Sequence, residues 1–227
     1  MITAILPAGG LGKRLGADIP KQFLPLAGKP LILYSLEAFV QHPQIKNIII
    51  PVVANWRQNL EDLLADLLLQ KEIILVPGGR TRQDSVYHGL KALPQGSSIV
   101  LVHDVARPLV TPQIIERVIQ AVEKYGAAIA ATPVRDTVKM VEGEIIKETI
   151  PREKLFLAQT PQGARVELML RAFEAAYRDD FIGTDEASLL ERIGIPVHIV
   201  PAPMTNFKIT TPEDLRLAEA LLRLEHY

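Results

Sequence analysis

Glycines and basic side chains, the residue types that bind phosphate, are concentrated in one stretch near the start of the chain. This stretch reads Pro7-Ala8-Gly9-Gly10-Leu11-Gly12-Lys13-Arg14-Leu15-Gly16 and is followed by Pro20-Lys21-Gln22-Phe23. Glycine lets backbone N–H groups approach an anion closely, so a loop rich in glycine can surround phosphate oxygens with main-chain donors. Lys13, Arg14 and Lys21 add positive charge. The stretch therefore predicts a loop that holds a nucleotide triphosphate.

The spacing of these glycines excludes two commoner nucleotide-binding motifs. A P-loop needs Ser or Thr directly after Gly-Lys, but Arg14 follows Gly12-Lys13. A dinucleotide fingerprint needs a third glycine where Leu15 stands, and Gly16 comes one residue late. A dehydrogenase is therefore the least favoured function. The alternative is a flexible basic loop without a ligand, but its position directly after the apolar run Ile2-Thr3-Ala4-Ile5-Leu6 favours phosphate binding.

A second glycine pair follows a later apolar run. Pro77-Gly78-Gly79 opens onto a predicted helix with a polar first turn that includes Ser85. The N-terminus of a helix suits anions or the polar groups of a base. The alternative is a plain turn between a strand and a helix. Together with the first loop, this turn predicts a pocket for the base of the nucleotide.

A carboxylate, Asp104, follows the buried run 98–103, where it is well placed to hold a hard divalent cation such as Mg²⁺. An aspartate at this position can also be a helix cap or a turn residue. His103 precedes it, but one histidine is not a metal cluster, so we expect a structural role for that ring. We therefore take Asp104 as the metal ligand.

The elements that must position these groups alternate between strand and helix patterns. Strands are predicted at 2–6, 45–53, 73–76, 98–103, 127–132 and 196–200, and helices at 30–40, 59–70, 112–125 and 167–177, with further helices after Gly79, Thr184 and Thr211. This alternation predicts an α/β fold with a Rossmann-like, doubly wound, mostly parallel sheet. Ligands of such sheets bind beyond the carboxyl ends of the strands, where the candidate residues lie. The acids after Thr184 are explained by helix capping and are left out of the site.

A different pattern interrupts this alternation at roughly 134–152. Two short charged strands flank Glu142-Gly143 and predict a β-hairpin arm that stands off the sheet, within a single domain spanning 1–227. An isolated hairpin is marginally stable in water, so we expect the arm to pack on a second copy of the chain in a homodimer. The alternative is an arm folded back on its own domain.

The composition is that of an ordinary globular chain. It has 227 residues, 48% hydrophobic and 22% charged, with a formal net charge of -1 and no cysteine. The near-neutral charge argues against nucleic-acid binding, and the missing cysteines exclude disulfides and thiolate chemistry. No apolar run approaches the ~20 residues of a membrane span, and a strand begins at Ile2, so we expect a cytoplasmic protein without a membrane partner.

Several of these motifs resemble one enzyme superfamily. Pro7-Ala8-Gly9-Gly10-x-Gly12-x-Arg14 followed by Pro20-Lys21-Gln22-Phe23 resembles the nucleotidyltransferases that join a sugar or alditol phosphate to a nucleoside monophosphate. Pro133-Val134-Arg135-Asp136-Thr137-Val138-Lys139, then Arg152 and Gln159-Thr160-Pro161-Gln162, are similar to the 2-C-methyl-D-erythritol 4-phosphate cytidylyltransferase family in particular. The motifs occur in family order over nearly the whole chain.

The resemblance implies a reaction of CTP with 2-C-methyl-D-erythritol 4-phosphate, with Mg²⁺ as cofactor, in isoprenoid biosynthesis by the non-mevalonate pathway. It implies three groups of site residues: catalytic Arg14, Lys21 and Lys208; nucleotide-binding Ala8, Gly9, Gly10, Gly12, Gly79, Ser85 and Asp104; and acceptor-binding Val105, Arg107, Thr137, Arg152, Thr160 and Lys208. The family usually has a smaller residue at the position of Val105. By their sequence surroundings alone, Arg152 and Lys208 read equally well as surface residues.

Two other functions remain open at this point. A ribitol 5-phosphate cytidylyltransferase shares the first loop and the Thr-Pro-Gln run, although Val134-Arg135-Asp136-Thr137-Val138-Lys139 favours the erythritol family. A non-catalytic nucleotide-binding module could use the same fold. The joint presence of Arg14, Lys21 and Asp104 argues against it.

Overall fold

A central β-sheet with helices on both faces is the main feature of the computed structural model, which describes residues 1–9, 19–65, 67 and 71–224. In this part of the chain, seven strands form the sheet in the order β11-β7-β10-β6-β1-β4-β5. Their bounds are β1 Ile2–Ile5, β4 Ile45–Val52, β5 Glu72–Pro77, β6 Ile99–Val102, β7 Ala127–Pro133, β10 Phe156–Arg165 and β11 His198–Pro201. All neighbours pair in parallel except β10, which is antiparallel to both β6 and β7. The predicted mostly parallel α/β fold is confirmed.

The helices lie at α1 Leu31–Gln41, α2 Arg57–Ala65, α3 Arg82–Lys91, α4 Pro112–Tyr125, α5 Val166–Arg178, α6 Glu186–Arg192 and α7 Pro212–Leu224. Short strands β2 Pro25–Leu26 and β3 Lys29–Pro30 pair with each other, as do β8 Val138–Glu142 and β9 Ile145–Ile150. No helix within the described ranges is long and apolar enough to cross a membrane.

Helix α4 shows how local sequence determines an element. Thr111 accepts a hydrogen bond from the Ile114 amide as the N-cap, and Pro112 occupies the first turn. The helix ends at Gly126, whose φ of 92° favours glycine. Its apolar face is buried, so the predicted bounds 112–125 match the structure. The strands in the centre of the sheet are equally buried, and every residue of β1 and β6 is inaccessible or nearly so.

Strand β10 was not predicted. Its sequence contains Pro161, Gly163 and several polar residues and shows no strand periodicity, yet it occupies the middle of the sheet between β6 and β7. The predicted "core" strand at 196–200 is, by contrast, the edge strand β11, and most of its residues are exposed.

Four other predictions needed adjustment. The second helix ends at Ala65 among the described residues, and Pro30 precedes α1 rather than occupying its first turn. The first strand of the arm begins at Val138 rather than 134. The carboxylate of Asp185, and not the hydroxyl of Thr184, caps α6, because it accepts from the Ser188 amide.

The arm formed by β8 and β9 is a separate two-stranded sheet, as predicted. Nearly all of its side chains are exposed, including Met140, Val141, Ile145 and Ile146, with Ile145 the most exposed at 68%. A hairpin of this kind is marginal in water unless its apolar side chains are covered.

Candidate active site

The carboxyl ends of three neighbouring strands meet where the glycine-rich stretch begins. The Ala8 amide donates to the Pro51 carbonyl at 2.8 Å, and the Gly78 amide donates to the Val52 carbonyl at 2.7 Å. The amide of Ala8 is therefore used by the sheet, and the nucleotide-binding role of Ala8 stays a prediction. Gly9 is partly buried, while Gly10, Gly12 and Arg14 lie outside the described residues, so their predicted roles stay predictions.

The segment around Lys21 is fixed to the end of β1. The buried Gln22 donates from Nε2 to the Ala8 carbonyl at 2.5 Å. The Nζ of Lys21 donates to the Ile209 carbonyl at 2.8 Å, and the Ile209 amide donates to the Ala106 carbonyl at 2.8 Å. These bonds bring Lys21 next to the loop that carries Lys208, although the two lysines are far apart in sequence.

The second glycine pair forms a tight turn before α3. A Cβ on Gly79 would lie 2.1 Å from the Cβ of Asp84, so no side chain fits there. The Ser85 hydroxyl donates to the Thr81 carbonyl at 3.0 Å and accepts from the Gly79 amide at 2.9 Å. Ser85 and Gly79 thus bond to each other in this structure, and contact with the base stays a prediction for both.

Asp104 lies at the end of β6 between two cations from distant parts of the chain. Its Oδ1 accepts from the Nε of Arg82 at 2.8 Å, and its Oδ2 accepts from the Nζ of Lys208 at 2.6 Å. Burial would raise the pKa of this carboxyl, but the charges of Arg82 and Lys208 outweigh burial and hold the pKa well below its usual range. The carboxylate is therefore ionised and does not cap a helix, although the Asp104 carbonyl does close a turn with the Arg107 amide.

Arg82 and Glu186 belong to the same cluster and were missed. The Glu186 side chain is 1% exposed and binds Arg82 through both carboxylate oxygens, at 2.6 and 3.0 Å. Burial lowers the pKa of Arg82, but Glu186 and Asp104 raise it further above its already high value. The sequence placed Glu186 among the acids at the start of a helix, and it does lie in the first turn of α6, but its carboxylate binds Arg82 while Asp185 is the cap. The basic pair of Arg80 and Arg82 directly after two glycines was the signal available in the sequence.

His103 and Thr160 lie on the other side of Asp104. The Asp104 amide donates to the Thr160 hydroxyl at 3.1 Å, and the same hydroxyl lies 3.0 Å from Nδ1 of His103. The Nε2 of His103 is 3.2 Å from the Arg107 carbonyl. Burial lowers the pKa of His103 to about 3 despite the nearby Asp104 charge, so the ring is neutral. The structural role predicted for His103 agrees with these contacts.

The predicted acceptor-binding residues fall into two groups. Val105 packs in the core, and Arg107 donates to the carbonyls of Asn206 and Ala158 at 2.8 and 3.4 Å. Burial lowers the pKa of Arg107, an effect that Asp104 opposes. Thr137 and Arg152 are exposed at the arm, where Arg152 donates to the Arg135 carbonyl. Within the described ranges, no hydrogen bond or ion pair links Thr137 or Arg152 to Asp104.

Asp104 is the residue predicted to bind metal. The described residues contain no group of three or more His, Cys, Asp or Glu side chains that could hold a metal ion. Magnesium in nucleotide sites is bound by one or two carboxylates together with substrate phosphates. The donor set fits a magnesium ion that arrives with a nucleotide and shares one oxygen of Asp104, if Lys208 or Arg82 releases that oxygen.

The fold and the cluster at its strand ends define a class. A Rossmann-like sheet with a glycine-rich segment after its first strand, and with a lysine and an arginine bonded to a carboxylate at its strand ends, is the architecture of a nucleotidyltransferase. The family model described as 2-C-methyl-D-erythritol 4-phosphate cytidylyltransferase (IspD) matches residues 2–224. The chain belongs to this family, whose members are nucleotidyltransferases.

Sequence relatives that match over nearly their whole length have the same name as this family. The enzymes named 2-C-methyl-D-erythritol 4-phosphate cytidylyltransferase from Bacillus cereus and Geobacillus kaustophilus are 45% and 46% identical, covering 99% and 96% of both chains. The crystal structure of 4-diphosphocytidyl-2C-methyl-D-erythritol synthase from Anaerococcus prevotii has a TM-score of 0.87 at 30% identity, covering 98% of both chains. The cytidylyltransferase from Thermus thermophilus has a TM-score of 0.81 at 36% identity, covering 97% of this chain and 98% of that one.

Proposed function

We propose that this chain condenses CTP with 2-C-methyl-D-erythritol 4-phosphate to give the CDP-alditol and pyrophosphate. Membership of the family supports the reaction, and the observation that carries it in this molecule is the cluster of Asp104, Lys208 and Arg82 next to Lys21. A carboxylate with cations on both sides, at the strand ends where such folds bind ligands, suits the transfer of a phosphate-linked group.

The reaction needs alignment and charge stabilisation rather than a base. A phosphate monoester is largely dianionic near neutral pH because its second pKa is about 6. An oxygen of the acceptor phosphate attacks the α-phosphorus of CTP in line, the bond to the β-phosphate breaks, and pyrophosphate leaves without a covalent intermediate. Arg14 and Lys21 stabilise the charge that develops on the α-phosphate.

Lys208 and Asp104 are proposed to change partners when the substrates bind. In the structure the two side chains form an ion pair. A phosphate near Lys208 offers the ammonium a doubly charged partner, and one oxygen of Asp104 then becomes available. Mg²⁺, when bound there, supplies charge neutralisation on the phosphates of CTP.

The acceptor site is proposed to be completed by a second copy of the chain. Thr137 and Arg152 are at the exposed arm, and a guanidinium suits a phosphate monoester. The exposed apolar residues of the arm support its packing on a partner in a homodimer. The cytoplasmic location expected from the sequence stays a prediction.

The test is a coupled assay for pyrophosphate with the purified chain, CTP and Mg²⁺. We expect release with methylerythritol phosphate, and much slower release with ribitol 5-phosphate. Faster turnover of ribitol 5-phosphate would instead support the second acceptor. Binding of CTP without pyrophosphate release from either alditol phosphate would favour a non-catalytic module and contradict the proposal.

A further inference from the structure

His103 is a buried titratable side chain next to Asp104 that the proposed reaction does not use. It is fully inaccessible, it directly precedes Asp104, and its ring packs against Phe39 with 5.0 Å between centroids. Both of its ring nitrogens are within hydrogen-bond distance of polar groups, and those groups belong to two different segments of the candidate site.

The partners determine which nitrogen carries the proton. The Arg107 carbonyl can only accept, so the Nε2 that lies 3.2 Å from it must be the donor. The Thr160 hydroxyl already accepts from the Asp104 amide at 3.1 Å. Its own proton is directed to Nδ1 of His103 at 3.0 Å, because a bond in that direction satisfies all of these groups at once.

These bonds form one continuous relay. It runs from the Asp104 amide to the Thr160 hydroxyl, from that hydroxyl to Nδ1 of His103, and from Nε2–H to the Arg107 carbonyl. The relay fixes both ends of the turn from Asp104 to Arg107 and joins it to β10. A neutral Nε2–H ring is the form that makes all of these bonds.

An irregularity in β10 makes the relay possible. The pairing of β10 with β7 shifts between Ala158 and Gln162, and the pairing of β10 with β6 begins at Gln162 opposite Val102. Thr160 therefore lies in the interruption, just beyond the last paired residue of β6. Bulges of this kind redirect side chains next to active sites.

We propose that His103 is a positioning residue: as the Nε2–H tautomer it orients the backbone of Asp104 and the hydroxyl of Thr160, and through them the carboxylate that faces Lys208 and Arg82. It does not touch substrate. An apolar core residue of the same size would fill the space beside Phe39 but would leave the Thr160 hydroxyl and the Arg107 carbonyl without this partner. The role in turnover rests on the proposed function.

The two nitrogens can be tested separately. In His103→Asn the amide oxygen can still accept from Thr160, but the shorter side chain no longer reaches the Arg107 carbonyl, which keeps only its longer bond from the Ser35 hydroxyl at 3.3 Å. In His103→Gln the amide N–H can still reach that carbonyl, but the acceptor for Thr160 is lost. We expect each variant to lower kcat about tenfold to a hundredfold with the KM for CTP changed less than about threefold, because small misplacements of site groups affect turnover.

Three further variants serve as controls. Thr160→Val removes the hydroxyl and should match His103→Gln. Because both changes remove the same bond, the double variant should be hardly slower than either single one. His42→Gln replaces another buried histidine, paired with Glu116 and located before β4 at the opposite end of the sheet, and should leave kcat unchanged.

Nitrogen-15 NMR of histidine-labelled enzyme provides a readout that does not depend on activity. We expect His103 to show a protonated Nε2 and a bare Nδ1, with the Nδ1 signal shifted in Thr160→Val. A protonated Nδ1 would overturn the proposal whatever the reaction turns out to be. So would folded His103 variants that keep kcat within about twofold, or an equal loss of kcat in His42→Gln. Failure of the proposed reaction would instead appear as an inactive wild-type chain that still shows the Nε2–H tautomer.

Discussion

The ammonium group of Lys208 donates to the carboxylate of Asp104 at 2.6 Å, across 104 residues of sequence. The other oxygen of the same carboxylate is bonded to Arg82 at 2.8 Å. A single buried anion thus holds together two cations from α3 and from the loop before α7. A ligand that binds Lys208 removes a cation from Asp104, and a ligand that binds the carboxylate removes an anion from Lys208. In either case the group left behind needs a new partner of opposite charge.

The first prediction concerns Lys208 itself. Because its charge faces the position proposed for phosphate, Lys208→Ala should lower kcat by about a hundredfold or more in the pyrophosphate assay. Lys208→Arg keeps the charge and should recover part of the rate. Lys46→Ala removes an exposed lysine that donates to the Pro43 carbonyl, and it should have no effect. A Lys208→Ala variant as fast as wild type would remove Lys208 from the mechanism.

Lys21 should matter more for turnover than for nucleotide affinity. Its proposed role is to stabilise charge that exists only in the transition state, so Lys21→Ala should reduce kcat by about a hundredfold while the Kd for CTP changes by less than about fivefold. Calorimetric titration with CTP and the pyrophosphate assay measure the two quantities separately. If turnover is unchanged, the main catalytic assignment is lost.

Glu186→Gln should destabilise the fold. The buried carboxylate binds both terminal nitrogens of Arg82, so the variant leaves this guanidinium with Asp104 as its remaining anionic partner, and losing hydrogen bonds to a charged group costs about 2 kcal/mol. Urea unfolding would measure the loss. The matched control is Glu213→Gln, which breaks the exposed pair with Arg216 and should leave the unfolding curve unchanged. Equal stability of the two variants would contradict this account.

Acid should weaken the fold partly through His103. The pKa of this ring is about 3 in the folded chain and 6.5 in the unfolded chain. Between these two pH values the ring therefore binds a proton in the unfolded chain but not in the folded chain. The contribution of His103 to the free energy of unfolding is fully present above pH 6.5 and is lost as the pH falls towards 3. Each pH unit in this range corresponds to about 1.4 kcal/mol of stability, so we expect this ring to lower the free energy of unfolding by about 2 kcal/mol when the pH falls from 6.5 to 5.

The measurement is urea unfolding at several pH values. His103→Gln should show a smaller loss of stability on acidification than wild type. Some pH dependence should remain, since burial also lowers the pKa of His42, an effect that Glu116 opposes. Parallel curves for wild type and His103→Gln would show that the ring does not carry this dependence.

The arm should control assembly. Ile145 is 68% exposed on β9, and a charge at this position would be buried if the arm packs on a second copy. Ile145→Glu should therefore convert a dimer into a 25.1 kDa monomer in analytical ultracentrifugation and reduce turnover. Lys147→Ala, on the same strand, should do neither. A wild-type chain that sediments as a monomer would contradict the proposed dimer.

Much of the fold could be predicted because its elements carry local signals. Helix α4 was located to the residue from its starting proline and its closing glycine. The parallel strands were found from short β-branched runs, and their alternation with helices implied the sheet. Asp104 was singled out from its position after a buried strand and Lys208 from the family resemblance, but nothing in the sequence indicated that they are bonded to each other.

Local sequence thus determined the strands, the helices and the set of groups able to bind phosphate, because hydrogen-bond periodicity and capping act over a few residues. Only the tertiary structure decided that β10 enters the sheet antiparallel, that Glu186 holds Arg82, and that Thr160 joins Asp104 to His103. The last of these contacts spans 57 residues and that of Glu186 with Arg82 spans 104. Partners so far apart meet only when the packed sheet brings them together and excludes the water that would otherwise take their place.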